Sequence, residues 1–181
     1  PDFEAEHAPM LTLVMGMAAC MAIEKITGLT AEIKWPNDVV INKKKTTGIL
    51  TEMGMSEGKI SYVVVGIGIN LNMESFPEEL AYKATSLKIE CGHEINRDEI
   101  AAALLFFFEQ YYEKFGFLIE EYNNHLVNRG KEVLIKEKDG EYTRISRGIN
   151  DKGELLVEKK DGNCVEIFSG EVSVRGLYGY V

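Results

Sequence analysis

The chain has 181 residues, an apolar share of 45% and a formal net charge of −9 from 20 basic and 29 acidic residues. That length and apolar content suit one domain with a real core plus a small second one. The acidic balance, with no basic stripe interleaved with aromatics, argues against a nucleic-acid surface made by this part of the chain. Cys20, Cys91 and Cys164 are far apart and form no C-x-x-C pair, which fits a reduced interior better than a disulfide frame. His7, His93 and His125 are equally scattered, so no metal-ligand cluster is visible. With no signal peptide and no apolar run read as long enough to span a bilayer, the expectation is a cytoplasmic protein with no membrane partner.

Pro9 to Thr27 reads as a helix, with Pro9 in its first turn and Gly28 just past its end. It is apolar on almost every face from Leu11 to Ile23, as a helix buried between layers would be. Met10, Met15, Met17 and Met21 read most simply as core filler. Strands are expected at Glu32–Trp35, Val39–Ile41, Thr46–Met53 and Lys59–Asn70, antiparallel because their connections are short. The helix would cover one face of this sheet, giving an α+β sandwich.

The corner Lys34-Trp35-Pro36-Asn37-Asp38 ends the first strand, since Pro36 lacks a donor and pushes its predecessor to extended geometry. With Lys45 nearby, two lysines, a carboxylate and an amide suit a phosphate and its metal. They also suit a solvated basic hairpin, which the charge pattern alone favours. Val63 to Asn70 is a buried strand broken by Gly66 and Gly68, read either as a flat strand against a helix or as a wall that a ligand approaches closely. It is no dinucleotide fingerprint, because the third glycine and the following helix are missing.

Phe76 to Thr85 reads as irregular, and Thr85-Ser86-Leu87 as a loop bordering the site or a short polar turn. Asn96 to Glu99 resembles a capping box. Ile100, Ala103, Leu104, Phe107, Phe108, Tyr111 and Phe115 follow at helical spacing, a stripe read as core. Gly116 should break or bend this helix before a second segment, Phe117 to Asn128. Beyond Gly130, alternating runs at Lys131–Lys138, Tyr142–Ile149, Glu154–Lys160 and Cys164–Phe168 are separated by Asp-Gly turns, as in a small all-β barrel. This gives units 1–129 and 130–181, the second too small to be robust alone and so packed on the first.

KWPND, KKKTTGILTEM, VVVGIGINLN, ATSL and SGEVSVR occur in the order in which they occur in biotin protein ligases, and the chain resembles that family over nearly its whole length. The resemblance implies a mixed, largely antiparallel sheet covered by helices, similar to class II synthetases, followed by a small SH3-like β-barrel. The family's glycine- and arginine-rich biotin loop is absent, so the chain resembles the later part of a ligase, and the expectation is weak catalysis by this chain alone. The implied reaction joins biotin and MgATP into biotinyl-5′-adenylate, then passes biotin to a lysine of a biotin carboxyl carrier protein. Lys45 matches the family's catalytic lysine, and with Gly48, Leu50 and Gly66 it matches the biotin contacts. Lys34, Asn37, Asp38 and Asn70 match the nucleotide side, with Asp38 also the candidate for Mg²⁺. In the small unit, Arg147, Asn150 and Arg175, within the segments 147–150 and 171–175, match residues that close over the nucleotide. For Arg175 a final strand held by a salt bridge is an equal reading. A homodimer is left open. The rival readings are a lipoate or octanoate ligase, a non-catalytic module that binds biotinyl-adenylate, and a structural or interaction fragment.

Overall fold

Residues 3–113, 118–137, 140–159, 161–169, 173–176 and 180–181 are described by the structure, a computed structural model. The apolar stretch after Pro9 forms α1 (Met10–Thr27), and Gly28 ends it at φ 71°, returning its N–H to the Glu24 carbonyl. Four strands follow, β1 (Glu32–Lys34), β2 (Asp38–Ile41), β3 (Lys44–Ser56) and β4 (Lys59–Ile69), in spatial order β1-β2-β3-β4 and antiparallel throughout. β1 stops before the cis Trp35–Pro36 bond, as the proline implied. Asn42 and Lys43 make a two-residue turn with φ of 50° and 64°, the geometry that matches the twist of a tight hairpin. Pairing therefore runs right up to the turns, and β3 is longer at both ends than the expected Thr46–Met53.

The region 76–85, expected to be irregular, holds one short helix, α2 (Glu78–Ala81), and a second, α3 (Leu87–Cys91), follows it. Ser86 caps α3, its Oγ accepting from the Ile89 N–H at 3.2 Å and donating to the Met73 carbonyl at 2.6 Å. α4 (Arg97–Glu113) begins at the anticipated cap, where the Asp98 N–H donates to Asn96 Oδ1 at 2.9 Å. α5 (Leu118–His125) follows, and the expected break at Gly116 lies outside the described residues.

α1 packs against α4, α5 and the four-stranded sheet. Val14, Met17, Ala18, Ala19, Cys20, Ala22 and Ile23 are fully buried. The stretch Ala5–Thr27 is in fact long and apolar enough to cross a bilayer, which corrects the expectation of no such run. Its burial on nearly every side accounts for that composition.

The last part of the chain forms β5 (Glu132–Glu137), β6 (Gly140–Ile149), β7 (Leu155–Glu158), β8 (Cys164–Ile167) and β9 (Ser173–Gly176), all antiparallel in the order β8-β7-β6-β5-β9. Among the described residues β8 and β9 are the two edges, so what is seen is a five-stranded sheet and not a closed barrel. This sheet shares a core with the rest: Val133, Ile135, Leu155 and Val157 belong to the same buried cluster as α1. Polar links reinforce the junction. The Trp35 indole N–H donates to the Gly153 carbonyl at 3.0 Å, and the Ile149 N–H donates to Asn123 Oδ1 at 2.7 Å.

Candidate active site

One row of residues crosses all four strands of the first sheet. Lys34 lies opposite Asp38, Asp38 opposite Gly48, and Gly48 opposite Gly68. Directly opposed residues share a face. The alternate positions Ile33 and Ile49 point at α1, where a Cβ on Gly16 would lie 3.8 Å from each side chain. The row therefore occupies the face turned away from α1. In the next row Leu50 lies opposite Gly66. Gly66 and Gly68 leave the β4 part of this face bare, a Cβ on Gly68 would meet nothing within 4 Å, and Gly48 beside them is crossed by the Lys45 side chain. Leu50, 63% exposed, borders the bare floor.

Strict alternation would aim Lys45 at α1 together with Thr47 and Ile49. A β-bulge prevents it. Val39 pairs with Thr47 but Val40 with Lys45, leaving Thr46 as the extra residue. Lys45 is thereby turned onto the face of Asp38, which is the kind of re-aiming that bulges produce. Thr46 and Thr47 are both buried, and Thr46 Oγ1 donates to the Val39 carbonyl at 3.2 Å.

Asp38 is the hub of the charged cluster. Its carboxylate pairs with Lys45 Nζ, lies 3.8 Å from Lys34 Nζ, and accepts from the Tyr180 hydroxyl. The Lys34 ammonium also sits 4.6 Å from the Tyr180 ring centroid. Among the described residues two ammonium groups stand against one carboxylate beside the glycine floor. Lys45 is the more accessible of the two cations, with 38% of its side chain exposed against 10% for Lys34. An anion meeting this face would meet Lys45.

Asn37 has a scaffold role at the corner: its Nδ2 donates to the Ile49 carbonyl at 2.9 Å, and the Ile49 N–H donates to the Asn37 carbonyl at 2.9 Å. Asn70 ends the glycine strand. Its N–H donates to the Thr46 carbonyl at 2.7 Å and its Nδ2 to the Thr85 carbonyl at 3.1 Å. It opens on a cleft of about 360 Å³ lined by Ile69, Leu71, Asn72, Met73, Arg97 and Ile100. Arg97 was legible only as the first residue of a helix. The segment around Thr85 lies beside Lys45, since Ala84 forms a parallel bridge with it. A second cavity, about 280 Å³, lies at the junction with the small sheet and is lined by Pro36, Asn37, Leu50 and Gly153 among others.

The residues proposed from the small sheet have partners within it. Arg147 pairs with Glu158 on the adjacent strand, its Nε donating at 2.5 Å. Asn150 organises a turn: its Oδ1 accepts from the Lys152 and Glu154 N–H groups, both at 3.0 Å, and its Nδ2 donates to Glu154 at 2.7 Å. Arg175 is described through its backbone, opposite Leu134, and Glu171 lies outside the described residues. Among the described residues no three His, Cys, Asp or Glu side chains gather to hold a metal. Among the described residues Asp38 is the acidic group of the cluster and two ammonium groups lie against it, so this donor set does not make a protein-built Mg²⁺ cage.

Comparison with known proteins follows the same lines. The profile described as "Biotin/lipoate A/B protein ligase family" matches residues 1–70, and that described as "Biotin protein ligase C terminal domain" matches residues 130–175. The bifunctional ligase/repressor BirA of Bacillus spizizenii is 36% identical, over 96% of this chain and 55% of its own length. That of Escherichia coli is 31% identical, over 91% of this chain and 53% of its own. The chain thus spans about half the length of these relatives. A biotin protein ligase from Aquifex aeolicus superposes with a TM-score of 0.83 at 33% identity, covering 95% of this chain and 77% of that one. The same ligase in complex with biotin and ATP gives 0.81 at 33% identity, over 93% and 72%.

Proposed function

The chain belongs to the biotin protein ligase family, and from that premise we propose that the bulge-turned Lys45 and the glycine floor form the site where biotin is activated as biotinyl-5′-adenylate. The observation that carries this reading is the row Lys34–Asp38–Gly48–Gly68 with Lys45 brought onto it by Thr46. A bare backbone floor admits a flat ring system, and a positive charge stands at its edge.

In the first step a biotin carboxylate oxygen attacks the α-phosphorus of ATP. A new P–O bond forms, the bond to the bridging oxygen breaks, and pyrophosphate leaves with its electron pair. Two anions must meet, so a cation between them lowers the barrier. Lys45 supplies that ammonium, and Asp38 holds it in place. In the second step a carrier lysine, as the free amine, attacks the acyl carbon. The amide forms, AMP leaves, and the amine proton passes to solvent. Leu50 and Gly66 are the biotin contacts in this reading. Asn70 is the adenine contact. An amide has two N–H donors and an acceptor oxygen, and the bond to Thr85 uses one donor. Mg²⁺ would arrive on the ATP phosphates, with Asp38 the nearby carboxylate.

For Arg147, Asn150 and Arg175 as nucleotide contacts the support is their place in the family pattern, and Arg147 would have to leave Glu158 to serve. The units 1–129 and 130–181, closure of the second into an SH3-like barrel, a biotin carboxyl carrier protein as acceptor and a cytoplasmic setting belong to the same reading. Three free thiols agree with the last.

Calorimetric titration of the chain with biotinyl-5′-adenylate and lipoyl-5′-adenylate tests the reading. Selective binding of the biotinyl compound is expected. Equal or preferred binding of the lipoyl compound would overturn it in favour of a lipoate-type ligase.

A further inference from the structure

Glu90 lies on α3, outside the charged cluster, yet its carboxylate ties together the parts that present Lys45 and Asn70. One oxygen accepts from Thr85 Oγ1 at 2.5 Å and the other from Asn42 Nδ2 at 2.6 Å. Asn42 is the left-handed turn residue just before the strand that carries Lys45. Thr85 is buried and has its remaining polar groups committed: its N–H donates to the Lys45 carbonyl at 2.9 Å, and its carbonyl accepts from Asn70 Nδ2 at 3.1 Å. The Lys45 N–H donates to the Lys83 carbonyl at 2.8 Å, so residues 83–85 bracket the main chain of that lysine on both sides.

We propose that Glu90 is a positioning residue that fixes the spacing between Lys45 and Asn70, and so matters for a ligand that must reach both. The proposal rests on the reading of those two residues as the acyl-phosphate and adenine ends of one adenylate site. Thr85 is the rigid spacer, since one residue bonds to both ends. Glu90 holds that spacer against the turn that leads into the bulged strand. A short ligand touching one end is indifferent to the spacing. A two-ended ligand depends on it, because misplacement of either end loses contacts at the other.

The test is calorimetric titration of the chain and its Glu90→Ala variant with biotin, with AMP and with biotinyl-5′-adenylate. The variant should lose roughly tenfold in affinity for the adenylate, the order of an ordinary coupling between sites, while biotin and AMP each change by less than about twofold. Glu90→Gln should retain most of the adenylate affinity, because its oxygen still accepts from Thr85 and the Asn42 amide can turn to face its NH₂. Thr85→Val, which removes only the hydroxyl, should reproduce the Glu90→Ala pattern and carries the test should that variant not fold. The double variant should be no worse than either single one. Equal losses for all three ligands, or none for the adenylate, would overturn the proposal. Failure of the unmodified chain to bind the adenylate would instead overturn the underlying reading, and the proposal with it.

Discussion

Lys45 lies across Gly48: a Cβ built on the glycine would sit 3.1 Å from both Cε and Nζ of the lysine. Such a separation is too short for comfort, but the atoms concerned are the far end of a flexible, partly exposed side chain. Gly48→Ala should therefore change stability by less than about 1 kcal/mol. It should push Lys45 off the floor, and biotinyl-5′-adenylate affinity should fall by about tenfold or more. Thermal melts paired with titrations separate the two effects. An unchanged affinity would mean that the glycine does not set the lysine's position.

The junction with the small sheet should be far less forgiving. Gly153 has φ +80°, and a Cβ there would lie 2.5 Å from Leu13 Cδ1 and 2.6 Å from Met10 Sδ. Left-handed strain and overpacking combine in Gly153→Ala, for a loss on the order of 2–4 kcal/mol. Trp35→Phe leaves the Gly153 carbonyl without its indole donor and should cost about 1–3 kcal/mol. Urea titrations measure both, and hydrogen exchange should show β6 and β7 losing protection first. A Gly153→Ala protein as stable as the parent would show that α1 yields easily at this contact.

These two cases mark what the sequence could and could not say. α1 was legible because its apolar residues occupy every face, and the Asn96 cap because its signal is local. The family motifs name Lys45, Gly48 and Asn70 as candidates, and the structure puts Lys45 across Gly48 and Asn70 at the end of the glycine strand. The bulge at Thr46 was not legible, since Lys-Thr-Thr-Gly reads as ordinary alternation and only cross-strand pairing shows which residue is extra. α3 was missed because one turn of helix has no periodicity, although Ser86 was there to cap it. The Trp35–Gly153 bond joins residues 118 apart, and the hydrogen bond of Glu90 to Asn42 joins residues 48 apart. A one-dimensional pattern carries none of these.

Two buried ionisable groups predict an alkaline limit to stability. Burial pushes the Cys20 thiol and the Tyr122 phenol well above their ordinary values of 9.0 and 10.0, helped by nearby acidic groups. Between the ordinary and the raised value the unfolded chain has released a proton that the folded chain keeps, so stability falls as pH rises. It is fully present below pH 9, declines above 9 for the thiol and above 10 for the phenol, and is lost as pH approaches the raised values. Among the described residues the Tyr122 hydroxyl also has no hydrogen-bond partner. Tyr122→Phe should thus gain about 1 kcal/mol at pH 7 and lose less than the parent between pH 10 and 11. Denaturation midpoints across that range check both statements, and a variant weaker than the parent at pH 7 would show that the hydroxyl is satisfied after all.

The glycine floor should trade stability against binding in the opposite sense to Gly153. Gly68 sits in a strand with open space where a Cβ would go, and a Cβ on Gly66 would meet only the Leu50 carbonyl, at 3.7 Å. Neither has a positive φ, so neither needs to be glycine for its own backbone. A β-branched side chain suits a strand better, and Gly68→Val should raise stability by up to about 1 kcal/mol. Its methyl groups would project from the face that carries Lys45 and Leu50. They would occupy the volume that a ring system needs, so adenylate binding should be lost while the melting temperature rises. Gly66→Val should behave alike, with a smaller gain because of the closer carbonyl. A stable Gly68→Val protein that still bound biotinyl-5′-adenylate normally would place the ligand elsewhere. The bare strand would then need a different cause, because a fold optimised for stability alone would have filled it.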